Sequence, residues 1–308
     1  DFDGKTKDEV LDDIHSYQNE ADIPLLIGVD EEGGTVVRVS SNPNLRETPF
    51  LSPKDTYADG GWDAVKQDAE EKADLLLSLG INVNLAPVCD MTSDEYGFMY
   101  DRSFSSDVDM ENRYVRTVVE TSKSKKLGTV LKHFPGYGNN SDTHTGIAYD
   151  DRDYSEFENT DFKPFYQGIE SGADCILVSH NIVNCMDSEY PASLSQKVHD
   201  ILRNEFKFDG VIMTDDLIMD AITDFTGDEA AAVTAAKCGN DLLCCSSVDT
   251  QYPAVLEAVQ NGEISEAQVD ASVKRILKWK QNLGIFSIDT YQKKVKSTEP
   301  TDTVGSEE

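Results

Sequence analysis

Positive charge is what this chain has least of. Its 27 Lys and Arg stand against 58 Asp and Glu, for a formal net charge of −31. Such a field repels phosphate backbones and anionic headgroups, so no nucleic acid partner is expected and a neutral or cationic ligand is favoured. Long apolar runs are missing as well. No stretch suffices to cross a bilayer, and no membrane insertion is expected. The six cysteines, Cys89, Cys175, Cys185, Cys238, Cys244 and Cys245, show none of the spacings that bind zinc. Most lie in apolar stretches, where cysteine acts as a small buried hydrophobe, and the even count permits disulfides without indicating any. No metal and no cofactor is expected. No secretory leader is visible. The acidic balance leans toward a secreted or cell-surface bacterial protein over a cytoplasmic one, and oligomeric state is left open.

What the 308 residues do contain is a repeated unit. Apolar runs without polar alternation are separated by helical patterns, which indicates a parallel sheet covered on both faces. Six such runs can be read: IPLLIGVD into Asp30, INVNLAPV into Asp90, GTVLKHF (128–134), CILVSHNI (175–182), GVIMTDD (210–216) and DLLCCSS (241–247). Helices are predicted over 7–21, 63–79, 109–126, 160–171, 195–205, 228–237, 252–260 and 265–283. The last opens on a capping box, Ser265 with Gln268. Residues 41–61 read as a surface excursion, and Gly80 as a C-terminal cap. Polar residues close every run: Asp30, Asp90, Lys132-His133, Ser179-His180, Asp215-Asp216 and Ser246-Ser247. A closed ring gathers such ends around one pocket, so the expected fold is α/β, a TIM-type (β/α) barrel. Six strands fall short of eight, so the barrel is expected to lack its first strand, with at least one strand before Asp1. The expected division is a barrel over 1–286 and a polar C-terminal tail over 287–308.

The segment after GTVLKHF breaks at Pro135-Gly136 and runs through Gly138, Asn139, Asn140 and Ser141 into Asp142-Thr-His144. A carboxylate two residues from an imidazole can orient the ring and stabilise its charged form, as a proton shuttle requires. A solvated loop would read the same. Asp215 follows an apolar strand, where a rigid backbone can hold a carboxylate against a substrate carbon. Asp216 is expected to cap the next helix. Asp30, Arg38, Arg102 and Lys132 suit recognition of hydroxyl and amide groups, and each also suits an ordinary ion pair. His180 reads as a hydrogen-bonded strand-end residue, and His15 and His199 as helix-surface residues.

IGVDEEGGTVVRV, INVNLAPVCD, DRSF, LKHFPGYGNNSDTH, PASLSQKV, GVIMTDDLIMDAI and RILKWKQNLGIF follow one another in this chain. This order resembles glycoside hydrolase family three, most of all its β-N-acetylglucosaminidase branch, over roughly residues 5–286. The resemblance implies a TIM-type barrel and a retaining two-step hydrolysis of a carbohydrate substrate, a GlcNAc-containing glycan such as a peptidoglycan fragment. It implies Asp215 as nucleophile and His144, paired with Asp142, as acid/base. It implies Asp30, Arg38, Arg102, Lys132 and His133 as the sugar subsite. Two departures stand out: Tyr137 replaces a family His, which is expected to alter the pocket rim, and DTH replaces DSH. Three rivals remain open on the residues alone. One is another β-glycosidase specificity, glucosidase or xylosidase. Another is a metal-dependent hydrolase using His133, Asp142, His144, His180 and Asp215, and the third is a sugar-binding protein without turnover.

Overall fold

The computed structural model describes residues 2–140, 143, 146–226 and 228–292, which leaves Asp142 and His144 outside the described residues. The chain alternates as expected. Helix α1 (Lys7–Glu20) starts in a full capping box between Thr6 and Glu9, and buries Val10 and Ile14. It leads to β1 (Gly28–Val29). Helix α2 (Pro53–Ser78) precedes β2 (Val83–Asn84), and α3 (Val108–Ser124) precedes β3 (Gly128–Phe134). Strand β4 (Tyr149–Asp150), helices α4 (Tyr154–Asn159) and α5 (Phe162–Ser171), and strands β5 (Cys175–Val178) and β6 (Ile182–Val183) follow. Helix α6 (Gln196–Asp200) runs into a π turn at Ile201–Glu205, then β7 (Val211–Thr214). Helices α7 (Asp220–Thr223), α8 (Asp228–Cys238), α9 (Val248–Gln260) and α10 (Glu266–Asn282) complete the order.

Strands β1, β2, β3, β5 and β7 form one parallel sheet in that order. The sixth expected strand contributes a single parallel bridge, Met213 to Leu242, with no ladder among the described residues. The sheet curls. Leu26, beside β1, and Leu242 and Cys244, beyond the opposite edge, pack against one and the same cluster of strand residues. Alternate residues along the strands face two different layers, as a pleated strand requires. Val130, Cys175, Leu177, Val211 and Met213 pack with Trp279 and Leu283 of the C-terminal helical segment. Leu131, Phe134, Ile176, Val178 and Ile212 pack outward with Phe162, Phe165 and Phe206. Full burial of each such side chain contributes about 1.5–3 kcal/mol. Gly168 lets α5 lie on β3, because a Cβ there would stand 2.5 Å from Leu131 Cδ1.

Several boundaries differ from expectation for local reasons. The excursion ends at Ser52, which caps α2 through the Asp55 N–H. Helix therefore begins ten residues before the predicted start at 63 and is broken only at Gly60-Gly61. Only half of the Ser265 box forms: Ser265 accepts from the Gln268 N–H, while the Gln268 amide donates to Ala236 O at 2.6 Å. The two-residue strands β4 and β6 pair in parallel, too short for any periodicity to announce them. His199 is buried rather than on the surface, with Nδ1 2.7 Å from Ser195 O. All six cysteines are free thiols. Residues 288–292 are helical where a tail was expected, and 293–308 lie outside the described residues.

Candidate active site

The site is built from β3 outward. All seven residues of GTVLKHF are buried. The register with β5 shifts between Leu131 and Phe134, and the two consecutive polar residues there join one cluster. Lys132 Nζ lies 2.5 Å from Asp30 Oδ1 and 2.6 Å from Glu32 Oε1. Burial disfavours its charge, but Glu32 and Asp30 outweigh that and hold its pKa above the ordinary lysine value. Arg102 donates twice to the Glu32 carboxylate, at 2.9 and 2.8 Å. Burial would raise the Glu32 carboxyl, yet Lys132 and Arg102 bring it down to about 2.

His133 is fixed on three sides. Its backbone N–H and its Nδ1 both meet Asp90 Oδ2, at 3.0 and 2.7 Å. An Arg102 terminal nitrogen lies 3.3 Å from Nε2. A guanidinium only donates, so Nε2 accepts and the ring proton sits on Nδ1 toward Asp90. The other Asp90 oxygen accepts from the Tyr137 N–H at 2.7 Å. Tyr137 is therefore not a rim residue. It is buried, packs edge-on against His133 and Phe98, and reaches Thr143 Oγ1 with its hydroxyl at 2.6 Å. Burial and the nearby Asp215 charge push its phenol well above the ordinary range.

Asp215 ends β7 on the other side of this cluster. Burial alone would raise its carboxyl. His180, His133, the Asp216 N–H and Lys132 together overcome that, and it lies below the usual carboxylate range. Its Oδ1 accepts from the Asp216 N–H at 2.9 Å, and Oδ2 has no hydrogen bond among the described residues. Asp216 does not cap a helix: α7 starts four residues later without a side-chain cap. Its carboxylate accepts from the Ile218 and Ser246 N–H groups and the Ser246 hydroxyl, tying two strand-end loops together.

Of the residues singled out in the sequence, the structure brings Asp30, Arg102, Lys132 and His133 into direct contact, with Asp215 beside them. Arg38 is different. Its side chain is exposed and makes no hydrogen bond or ion pair among the described residues, while its backbone N–H donates to Glu31. Glu32, the hub between Lys132 and Arg102, is not singled out by the sequence. Its only signal was a second and third acid after Asp30, ahead of Gly33-Gly34. Among the described residues no group of three or more His, Cys, Asp or Glu is arranged to hold a metal ion.

Residues 4–279 match the glycosyl hydrolase family 3 N terminal domain. A β-hexosaminidase of Hydrogenovibrio crunogenus is 32% identical over 252 residues, 80% of this chain and 70% of that one. A β-hexosaminidase of Methylobacillus flagellatus is 33% identical over 252 residues, 76% of this chain and 68% of its own. Among solved structures, the family 3 β-N-acetylglucosaminidase from Paenibacillus sp. str. FPU-7 superposes with a TM-score of 0.85 at 30% identity. That match covers 91% of this chain, which spans only 55% of the Paenibacillus protein. With nearly its whole length matched by one family, this chain belongs to glycosyl hydrolase family 3.

Proposed function

We propose that the chain is a retaining exo-β-N-acetylglucosaminidase, removing terminal β-linked N-acetylglucosamine from glycans such as peptidoglycan fragments. The observation that carries this reading is Asp215: an ionised carboxylate at the end of a buried strand, with one oxygen uncommitted among the described residues, beside a preformed polar cluster. In the first step Asp215 adds to the anomeric carbon as the bond to the leaving oxygen breaks, giving a glycosyl-Asp215 ester. His144, paired with Asp142, supplies the proton to the leaving oxygen. It then takes one from the water that attacks the same carbon, so the configuration is retained.

The cluster has bonding capacity to spare for a sugar. Lys132 carries three donors and uses two on Asp30 and Glu32. Arg102 has five N–H groups and engages Glu32 with two, His133 with one and the Met99 sulfur with one. Asp30 keeps one carboxylate oxygen free of hydrogen bonds among the described residues. We assign these groups, with His133, to the hydroxyl and acetamido groups of the sugar, and exposed Arg38 to the outer edge. The acetamido specificity is supported by what the relatives are named, hexosaminidases and a β-N-acetylglucosaminidase. We also read the curled sheet as part of a TIM-type barrel. Leu26 at one edge and Leu242 and Cys244 at the other pack against one interior cluster, as the two edges of a ring would.

The test compares release of nitrophenol from the aryl β-N-acetylglucosaminide and the aryl β-glucoside, with Asp215→Asn as control. Preference for the acetamido sugar, lost in Asp215→Asn, is expected. Turnover of the glucoside alone would keep the mechanism and move the specificity to a β-glucosidase. No turnover of either would overturn the reading.

A further inference from the structure

The PASLS segment (191–195) plays no part in the chemistry above, yet it is buried behind Asp215. Ser193 sits in a short 3-10 turn, Ala192–Leu194, with no exposed surface. Its N–H donates to the Ser179 carbonyl at 2.9 Å, tying the turn to the segment that follows β5. Its hydroxyl lies 2.7 Å from Nδ1 of His180, itself fully buried, and His180 Nε2 lies 3.0 Å from the Asp216 carbonyl oxygen. A carbonyl only accepts, so Nε2 carries a proton and donates it there. The N–H end of the same Asp216–Leu217 peptide donates to the Cys244 carbonyl at 3.0 Å. Both ends of that peptide are therefore held, and the N–H of Asp216 in turn grips Asp215 Oδ1 at 2.9 Å.

Resting on the reading of Asp215 as nucleophile, we propose that His180, oriented by Ser193, is a positioning residue that fixes the turn from which Asp215 meets the anomeric carbon. A hydroxyl suits this task because it can donate to Nδ1 or accept from it, so the ring keeps one orientation in either charge state. Ser193 is itself secured: its carbonyl accepts from the Asn240 amide at 2.8 Å, and neighbouring Leu194 packs in one cluster with Leu217. The arrangement passes through four separate stretches of chain. Only the fold assembles it, which is why PASLS carries no visible chemistry in the sequence.

Ser193→Ala removes one hydroxyl and adds no bulk. The measurements are kcat and KM on the aryl β-N-acetylglucosaminide, the affinity for free N-acetylglucosamine by calorimetry, and the melting temperature. Asp215→Asn is run alongside. Ser193→Ala is expected to lower kcat about 10–100-fold, the scale of a small misplacement of a reacting group, with sugar affinity unchanged. His180→Gln, whose amide can still donate to the Asp216 carbonyl, is expected to retain more activity than His180→Leu. Wild-type kcat in Ser193→Ala overturns the inference. So does a loss confined to stability and sugar affinity, or equal activity in the two His180 variants. An active Asp215→Asn would remove the nucleophile reading itself. An inert Asp215→Asn beside an unimpaired Ser193→Ala removes the inference alone.

Discussion

The two halves of the site are held by different means. On the β1–β3 side, four charged groups lock each other: Lys132 between Asp30 and Glu32, and Glu32 between Lys132 and Arg102. On the β7 side, Asp215 accepts one hydrogen bond among the described residues, from its own neighbour's N–H, and is otherwise kept ionised by the imidazoles and the ammonium nearby. A group that must recognise a ligand gains from being fixed in advance, since the ordering cost is met on folding. A group that must form a bond in the reaction gains from having an oxygen uncommitted. With the roles proposed above, the contrast separates fold stability from chemistry within one cluster.

That separation can be broken by a pair of substitutions. Asp215→Asn keeps shape and volume, so the protein is expected to unfold at nearly the wild-type denaturant concentration. Its turnover should nevertheless fall by roughly 10³-fold or more, as for loss of a covalent nucleophile. Glu32→Gln should do the reverse in kind. It leaves Lys132 and Arg102 buried without their shared anion, and removing one member of a buried ionic group costs about 3–5 kcal/mol. Denaturant unfolding of both variants decides the matter. Equal stability losses would show that Asp215 is as structural as Glu32.

The same contrast has a pH signature. The Glu32 carboxyl lies at about 2 in the folded protein against an ordinary value of 4.5. A depressed folded value contributes stability that is fully present above the unfolded pKa and is lost as pH falls through the folded one. The window is therefore from about 4.5 down to about 2, and the contribution at stake is about 3 kcal/mol. Unfolding free energies of wild type and Glu32→Gln are expected to converge as pH drops through this window. Parallel curves would mean that Glu32 is not the group being titrated.

Much of this architecture could be read from the chain because buried parallel strands are apolar on both faces. GTVLKHF and VIMT leave a continuous signal, and the polar residues that end them mark the candidate site. What could not be read is who meets whom. Lys132 and Asp30 are 102 residues apart, and Arg102 and Glu32 are 70 apart. No local pattern encodes those pairs. Helical spacing put His199 on a surface, but its environment comes from Cys238 and Asn240 across the fold. Arg38 is a different case. Its motif singles it out, and the fold leaves its side chain exposed and, among the described residues, bonds only its backbone, to Glu31. Asp142 and His144 belong to the sequence and its resemblance, since they lie outside the described residues.

The smallest expected effect lies at Tyr137, where this chain has an aromatic hydroxyl bonded to a buried threonine next to Asp142 and His144. Tyr137→Phe removes one hydrogen bond and strands the Thr143 hydroxyl away from water, which costs about 1–3 kcal/mol in the single variant. Adding Thr143→Val removes the stranded group too, and replacing both partners by apolar atoms of similar shape can be nearly neutral. The double variant is therefore expected to be more stable than Tyr137→Phe alone, by about 1 kcal/mol in denaturant unfolding. If the two losses simply add, the hydroxyls do not depend on each other, and Tyr137 serves only as packing against His133 and Phe98. If they compensate, the pocket floor and the loop that carries the proposed acid/base are joined through this bond, and the Asp90 carboxylate that holds His133 also holds the base of that link.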